Sequence, residues 1–339
     1  MRFVISYPQT NWDYAKFRLN RIIKGKDKSS DVFTGSPGGK LQLVEQLEPL
    51  GEFRLMDEIY PTKPFGMAYV KGEGLYFITG LPCCIDGEAG DEHIVRLNDQ
   101  GEIDLVIKHP LFSQVRSLRR TEKGLMLTSS GIDAILEVNL QGEIIWSWFG
   151  TEQGYAKRYG DGSTRTIDKD VDHRTLCYPG RLQTTHLNSA IVDPYDDTKV
   201  LTILFYQGKV VRIDRETLEL EIVIENLNGA HHIRPHSKGY ILANSRKGEA
   251  RVFDKDFQLI NTIEGTSSLF PVKWVQDTIE MPSGSHLIAD CNSFNLRERD
   301  QNGNERKFNT KMPNRIFQIE AVTDDFTFND LAHTHFTQD

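Results

Sequence analysis

Residues 65–107 hold four short runs of strand-forming residues: Phe-Gly-Met-Ala-Tyr-Val at 65–70, Leu-Tyr-Phe-Ile-Thr at 75–79, His-Ile-Val-Arg-Leu at 93–97 and Glu-Ile-Asp-Leu-Val-Ile at 102–107. Turn residues at 72–74 and 99–101 separate the first pair and the last pair, as in a meander. The same unit returns over 115–148, 185–224 and 230–263, and a fifth copy runs from 275 to about 330. A four-strand unit of about forty residues cannot bury its own apolar faces, so its copies must pack against one another; the length is that of a propeller blade.

Five copies leave both ends of the chain over. Residues 3–7, 41–47 and 52–59 have strand character, and 331–338 can supply a fourth, innermost strand. Joining the two ends in one blade closes the ring and removes its edges. The sequence therefore predicts one all-β domain over 1–339: a six-bladed β-propeller of four-stranded antiparallel blades, closed by N- and C-terminal strands. A helix is predicted over 11–24, where Trp12, Ala15, Leu19 and Ile22 follow Thr10-Asn11 at helical spacing. Long segments at 81–92, 150–183 (a capping loop) and 292–313 (a second insertion) fall on one face, where loops of that size act as lids or binding loops.

Charge narrows the function classes. Forty basic and forty-eight acidic residues give a net charge of -8, with no basic segment, which argues against nucleic acid or an anionic membrane as partner. The opening residues Met-Arg-Phe-Val-Ile-Ser-Tyr-Pro lack the apolar core of an export signal, so a cytoplasmic protein is expected. Cys83, Cys84, Cys177 and Cys291 are too few and too irregular for a disulfide framework, and reduced thiols are expected.

In a propeller the innermost strand of each blade starts on the face where the second strand ends, so both line the channel mouth. Aligning the copies on Gly74, Gly124, Gly239 and Gly284 puts Gly66, Arg116, His186, His231 and Gln276 at the start of the inner strands. His232 and Asp277 come one step later, and Tyr206 and Asn244 lie at second-strand ends. A neutral imidazole is a nucleophile or general base near pH 7, and a guanidinium clamps an oxyanion. Strand alternation sends His232 away from the channel into the blade packing.

The segment His186-Leu-Asn188-Ser-Ala-Ile-Val-Asp-Pro-Tyr-Asp-Asp, preceded by Glu143-Ile-Ile-Trp-Ser-Trp and followed one blade later by Ala230-His231-His232, resembles the bacterial arylsulfotransferase (arylsulfate sulfotransferase) propeller family over residues 115 to 260. The resemblance implies a channel histidine, His231, that takes up a sulfuryl group and passes it to a phenol. It further implies that His186 and Asn188 hold the oxyanion. Phe205-Tyr206-Gln207 stand where the family has Arg-His-Gln, and Arg116 is the candidate replacement for the missing charge.

The expected function is a transferase-like enzyme of natural-product metabolism acting on a small aromatic or phenolic molecule. His231, His186 and Arg116 are its catalytic candidates, and Asn188, Tyr206, His232, Gln276, Asp277 and Asn244 its substrate-binding candidates. No cofactor is required by this reading. One alternative is a metal-dependent lyase or cyclase, with zinc or iron held by His186, His231, His335 and Asp277, and calcium a further candidate ion. Another is a non-enzymatic propeller that presents its capped face to a protein. The 150–183 loop, with Tyr155, Tyr159 and Tyr178, is expected to cross the channel mouth.

Overall fold

The computed structural model describes residues 1–24, 36–81, 90–265, 273–311 and 313–337. Among them are six separate four-stranded antiparallel sheets, the blades of a six-bladed propeller. The closing blade contains β1 (Arg2–Tyr7), β2 (Lys40–Gln46) and β3 (Phe53–Ile59), with helix α1 (Trp12–Lys24) between β1 and β2. The next blade is β4 (Met67–Val70), β5 (Gly74–Thr79), β6 (His93–Leu97) and β7 (Ile103–Ile107). Then come β8 (Val115–Arg120), β9 (Leu125–Ser129), β10 (Ala134–Val138) and β11 (Ile144–Phe149). The middle of the chain forms β12 (Leu187–Asp193), β13 (Asp196–Leu204), β14 (Lys209–Asp214) and β15 (Leu220–Ile224), followed by β16 (His231–His236), β17 (Gly239–Asn244), β18 (Glu249–Asp254) and β19 (Leu259–Glu264). The last full blade is β20 (Val275–Glu280), β21 (His286–Asp290), β22 (Asn295–Arg299) and β23 (Glu305–Asn309).

Closure is by β24 (Gln318–Val322), which pairs antiparallel with β1, Phe3 facing Ala321. The two ends of the chain do share a blade, but the closing strand lies earlier than expected. Residues 331–335 belong instead to a short helix, α2 (Asp330–His335), capped by the Asn329 side chain, which accepts the Ala332 N–H. The run Asp-Leu-Ala-His-Thr-His has no two-residue alternation, and its cap decides the local structure. Phe336 then packs edge-on against Phe77 at 5.7 Å and seals the junction between the closing blade and its neighbour.

Residues 292–313 are not an insertion. They supply β22 and β23, so the fifth copy is a blade of ordinary length. Of the expected insertion at 81–92, residues 82–89 lie outside the described residues.

Alternation along the strands builds the core. Phe3, Ile5 and Tyr7 pack toward the β20–β23 blade, while Val4 packs toward β4 and β5 on the other side. Each pair of neighbouring blades is joined by such a buried cluster. Third and fourth strands are joined by one recurring turn, in which Asn98, Asn139, Asp254 and Asp300 each accept backbone N–H groups two and four residues on. Gly124 directly precedes β9 at a point where an added Cβ would lie 2.0 Å from the Val138 carbonyl oxygen, so no larger residue fits that close strand approach.

The channel itself is filled by charge. Arg234 on β16 forms a two-pronged ion pair with Asp277 on β20 at 2.8 and 2.7 Å and also reaches Glu320 on β24 at 3.3 Å. Arg119 on β8 contacts the same Glu320 at 3.5 Å. No helix among the described residues is long and apolar enough to cross a membrane.

Cys177 is disulfide-bonded, contrary to the expected reduced thiols, whereas Cys291 is a buried free thiol. A disulfide suits an oxidising compartment, so cysteine usage does not support the cytoplasmic expectation.

Candidate functional site

The innermost strands share an irregularity that the sequence did not announce. In β8, β12, β16 and β20 the pairing to the second strand slips just after the start, between Val115 and Leu118, Leu187 and Ala190, His231 and Arg234, and Val275 and Asp277. These are β-bulges, which break strict alternation and re-aim side chains. They correct the expected column. Paired positions show that Arg116, Asn188, His232 and Gln276 are equivalent bulge residues, that His231 begins its strand, and that His186 lies one residue before its own. Loops of unequal length before the inner strands hid these offsets.

His186 sits in the left-handed backbone region, at φ 51°, where a non-glycine residue must be held. Asp133 holds it. This buried carboxylate accepts the N–H of Thr185 at 2.8 Å and of His186 at 3.1 Å, the Thr185 hydroxyl at 2.8 Å, and a salt bridge from Arg165 at 2.6 Å. Arg165 belongs to the 150–183 segment, so one aspartate fixes both the capping loop and the histidine. Asp133 was missed from sequence. It is itself left-handed after a short turn, where Gly248 stands in the β16–β19 blade, and an aspartate at a glycine position was the available signal.

Both mouth imidazoles have one ring nitrogen occupied. Nδ1 of His231 lies 3.1 Å from the Gly229 carbonyl and 2.7 Å from the Ser245 hydroxyl. A carbonyl only accepts, so Nδ1 carries the proton and Nε2 presents its lone pair. Nδ1 of His186 likewise donates to Gln183 Oε1, whose amide is oriented by donating to Gln114 and to the Tyr178 carbonyl, each at 2.9 Å. Burial, then the charges of Arg116 and Arg246, push His186 down to about 3; burial, then His232 and His186, push His231 well below its ordinary value. Both rings are neutral at pH 7.

Around them is an aromatic cup. The Phe205 ring stands between the two imidazoles, 5.1 Å from His186 and 5.3 Å from His231. Tyr206 lies 5.4 Å from His186 and stacks on Tyr159 of the capping loop at 4.0 Å with planes 8° apart, and its hydroxyl donates to the Gly180 carbonyl. Trp274 is 5.6 Å from His231, and its indole N–H donates to Gln276 at 2.6 Å.

The Arg116 guanidinium carbon lies 4.4 Å from the centre of the Phe65 ring, and its Nε is buried without a hydrogen bond. Among the described residues the whole guanidinium donates to no acceptor. A second cation, Arg246, lies over Phe205 at 5.0 Å, the residue standing where the resembled family has an arginine. Glu92, also missed from sequence, is buried beside Arg116: its Oε2 accepts the Val115 N–H at 2.9 Å and its Oε1 has no partner.

The remaining candidates take other places. Asn188 is buried and donates to the Ala230 carbonyl at 3.3 Å, bracing the start of β16. Asn244 accepts the Asn228 N–H at 2.6 Å and donates to Glu249, which fixes its side chain. Asp277 is committed to Arg234 and accepts the Ile319 N–H at 2.9 Å. His232 does not turn into the blade packing. Its bulge and a φ of 44° place it inside the channel, 5.1 Å from Phe317 and beside Arg234 and Arg119. Neither of its ring nitrogens has a hydrogen bond of ordinary geometry, the Phe317 carbonyl giving only weak electrostatic support.

The alternative metal set is not assembled. His335 is on α2 beside Phe336 and His93, Asp277 is ion-paired, and among the described residues no three His, Cys, Asp or Glu side chains gather as a metal group.

No protein-family model and no curated protein sequence matches the chain. Solved structures do resemble it in fold. A structure from a nidogen/laminin complex is 10% identical with a TM-score of 0.59, covering 94% of this chain and 98% of that one. A protein of unknown function from Bacteroides caccae is 12% identical with a TM-score of 0.56 over the same shares. A putative 6-phosphogluconolactonase from Bacteroides fragilis is 11% identical with a TM-score of 0.54, covering 95% and 98%. None of the three is described as an arylsulfotransferase, and at such identities the likeness extends to the fold alone: a six-bladed propeller, a scaffold on which enzymes and binding proteins are both built.

Proposed function

We propose that the protein is an enzyme that binds a small anionic aromatic molecule at the channel mouth and transfers its charged group through His231, with an aryl sulfate as donor and a phenol as acceptor. The observation that carries this reading is Arg116, a guanidinium laid on Phe65 with no acceptor of its own, in a site shared with two neutral imidazoles. The buried Nε of this part-buried arginine lacks an acceptor, and a bound sulfate or carboxylate would supply one. Phe205, Tyr206 and Trp274 offer faces and edges to an aromatic ring.

In this mechanism the Nε2 lone pair of His231 attacks the sulfur while the Gly229 carbonyl steadies the charge that grows on the ring. Arg116 and Arg246 hold the sulfuryl oxygens. His186 offers a second Nε2 lone pair, able to accept a hydrogen bond that orients the incoming phenol.

His231→Asn keeps approximate size and removes the basic nitrogen. Turnover of 4-nitrophenyl sulfate with phenol as acceptor should fall at least about a hundredfold, with an unchanged far-UV spectrum. Full activity in this variant would remove His231 from the chemistry.

A further inference from the structure

Transfer between two oxygens needs a proton at the departing oxygen and a place to put one when the acceptor arrives. We propose that Glu92 is the acid–base residue of the site, giving a proton to the leaving aryl oxygen and recovering it from the incoming phenol. This rests on the transfer reading above.

The geometry is that of a half-used carboxyl group. Glu92 directly precedes β6 on the mouth face and is 1% exposed. Oε2 is spent on the Val115 N–H, which fixes the carboxyl plane against the residue before Arg116. Oε1 is buried without a hydrogen-bond partner. Protonated there, Glu92 is a donor without an acceptor in the protein, so its hydrogen bond is free for a ligand oxygen. Arg116, the residue after Val115, acts electrostatically on Glu92 and on His186 and His231 alike. An anion held by Arg116 is therefore within electrostatic reach of both the acid and the nucleophile.

The charged groups facing Glu92 are Lys63 and Arg116, and both pull its carboxyl down, as does the Val115 N–H. Burial outweighs them and lifts it to about 7. It can thus give and take a proton at neutral pH.

The steps balance. His231 Nε2 forms the N–S bond, the S–O(aryl) bond breaks, and the aryl oxygen takes the proton from Oε1. That leaves a free phenol, a Glu92 carboxylate and a sulfated imidazole. The acceptor phenol then attacks sulfur, the N–S bond breaks, and the phenol proton returns to Glu92.

The test is Glu92→Gln in the full chain, assayed with phenyl sulfate and with 4-nitrophenyl sulfate. A poor leaving group needs the acid and a good one does not. Transfer from phenyl sulfate should fall at least about a hundredfold and transfer from 4-nitrophenyl sulfate less than about tenfold, with Glu92→Asp partly restoring the first. The limb of kcat/KM near pH 7 should vanish in Glu92→Gln. Equal losses for both donors in a folded variant would make Glu92 a positioning residue and overturn the proposal. So would a carbon-13 titration of the Glu92 carboxyl in the wild type that shows ionisation below about pH 5. Wild-type protein that turns over neither donor would instead sink the transfer reading, and this role with it.

Discussion

At the scale of single residues, the site depends on rings and carboxyls held in states they do not favour in water. His186, His232 and His286 are pushed to about 3, about 4 and about 4, each chiefly by burial. Their folded values lie below the ordinary 6.5, so the unfolded chain binds these protons first. Their contribution is intact above pH 6.5 and is lost as the pH falls toward 4. Asp277 acts lower down: burial pushes its carboxyl up, but the charges of Arg234 and His232 more than offset this and hold it at about 2. Its stabilisation is present above its ordinary 3.8 and is lost as the pH drops toward 2. Calorimetric melting temperature should therefore decline in two stages, from about pH 6.5 to 4 and again below about pH 4. A melting temperature flat from pH 7 to pH 4 would show that these rings are not buried neutral.

Among the elements, the 150–183 segment does more than cover the mouth. It places Arg165 on Asp133, Tyr178 in the neighbouring core cluster and His173 between the Tyr178 hydroxyl and the Asp168 carbonyl. Deleting it would strand the buried Asp133 charge, so stability and binding would be lost together. Tyr159 separates the two roles, because it is 59% exposed and its ring is stacked on Tyr206. Tyr159→Ala should leave stability within about 0.5 kcal/mol and raise KM roughly fivefold, the scale of one aromatic pair. A change in stability with KM unmoved would make the loop a brace only.

For the whole molecule, the ring is held shut by β24. Its Ile319 N–H reaches Asp277, its Glu320 carboxylate reaches Arg234 and Arg119, and Gln318 ties Met67 on β4 through the backbone. One strand thus joins the closing blade to the ion pairs in the channel. A chain ending at Phe317 would leave β1 an open edge and Arg234 without two partners, the Glu320 carboxylate and the Ile319 carbonyl. It should show no cooperative thermal transition by near-UV circular dichroism, whereas removal of residues 338–339 alone should leave the transition in place. A sharp transition in the shorter chain would mean that five blades and a partial sixth close by themselves.

The repeat was legible because four short strands per forty residues is a local signal, carried by alternation and, in the first two copies, by turns in which Asn or Asp is followed shortly by Gly and that need no distant partner. The six blades and the long loop after Phe149 follow from it, and the helix at Trp12 from its own cap and spacing. The closing strand was misplaced because 318–322 and 331–338 are both short, and only pairing with β1 selects between them. His231, His186, Arg116 and Tyr206 were legible as mouth residues, since each lies at a strand end. Their partners were not. Bulges turned His232 into the channel, Arg234 claimed Asp277, and Asp133 and Glu92 came from loops whose position depends on a neighbouring blade. A sequence determines strand period and turn chemistry residue by residue. Which nitrogen keeps its lone pair, and which carboxyl keeps its proton, depends on burial and on donors brought from other blades, and those exist only once the ring has closed.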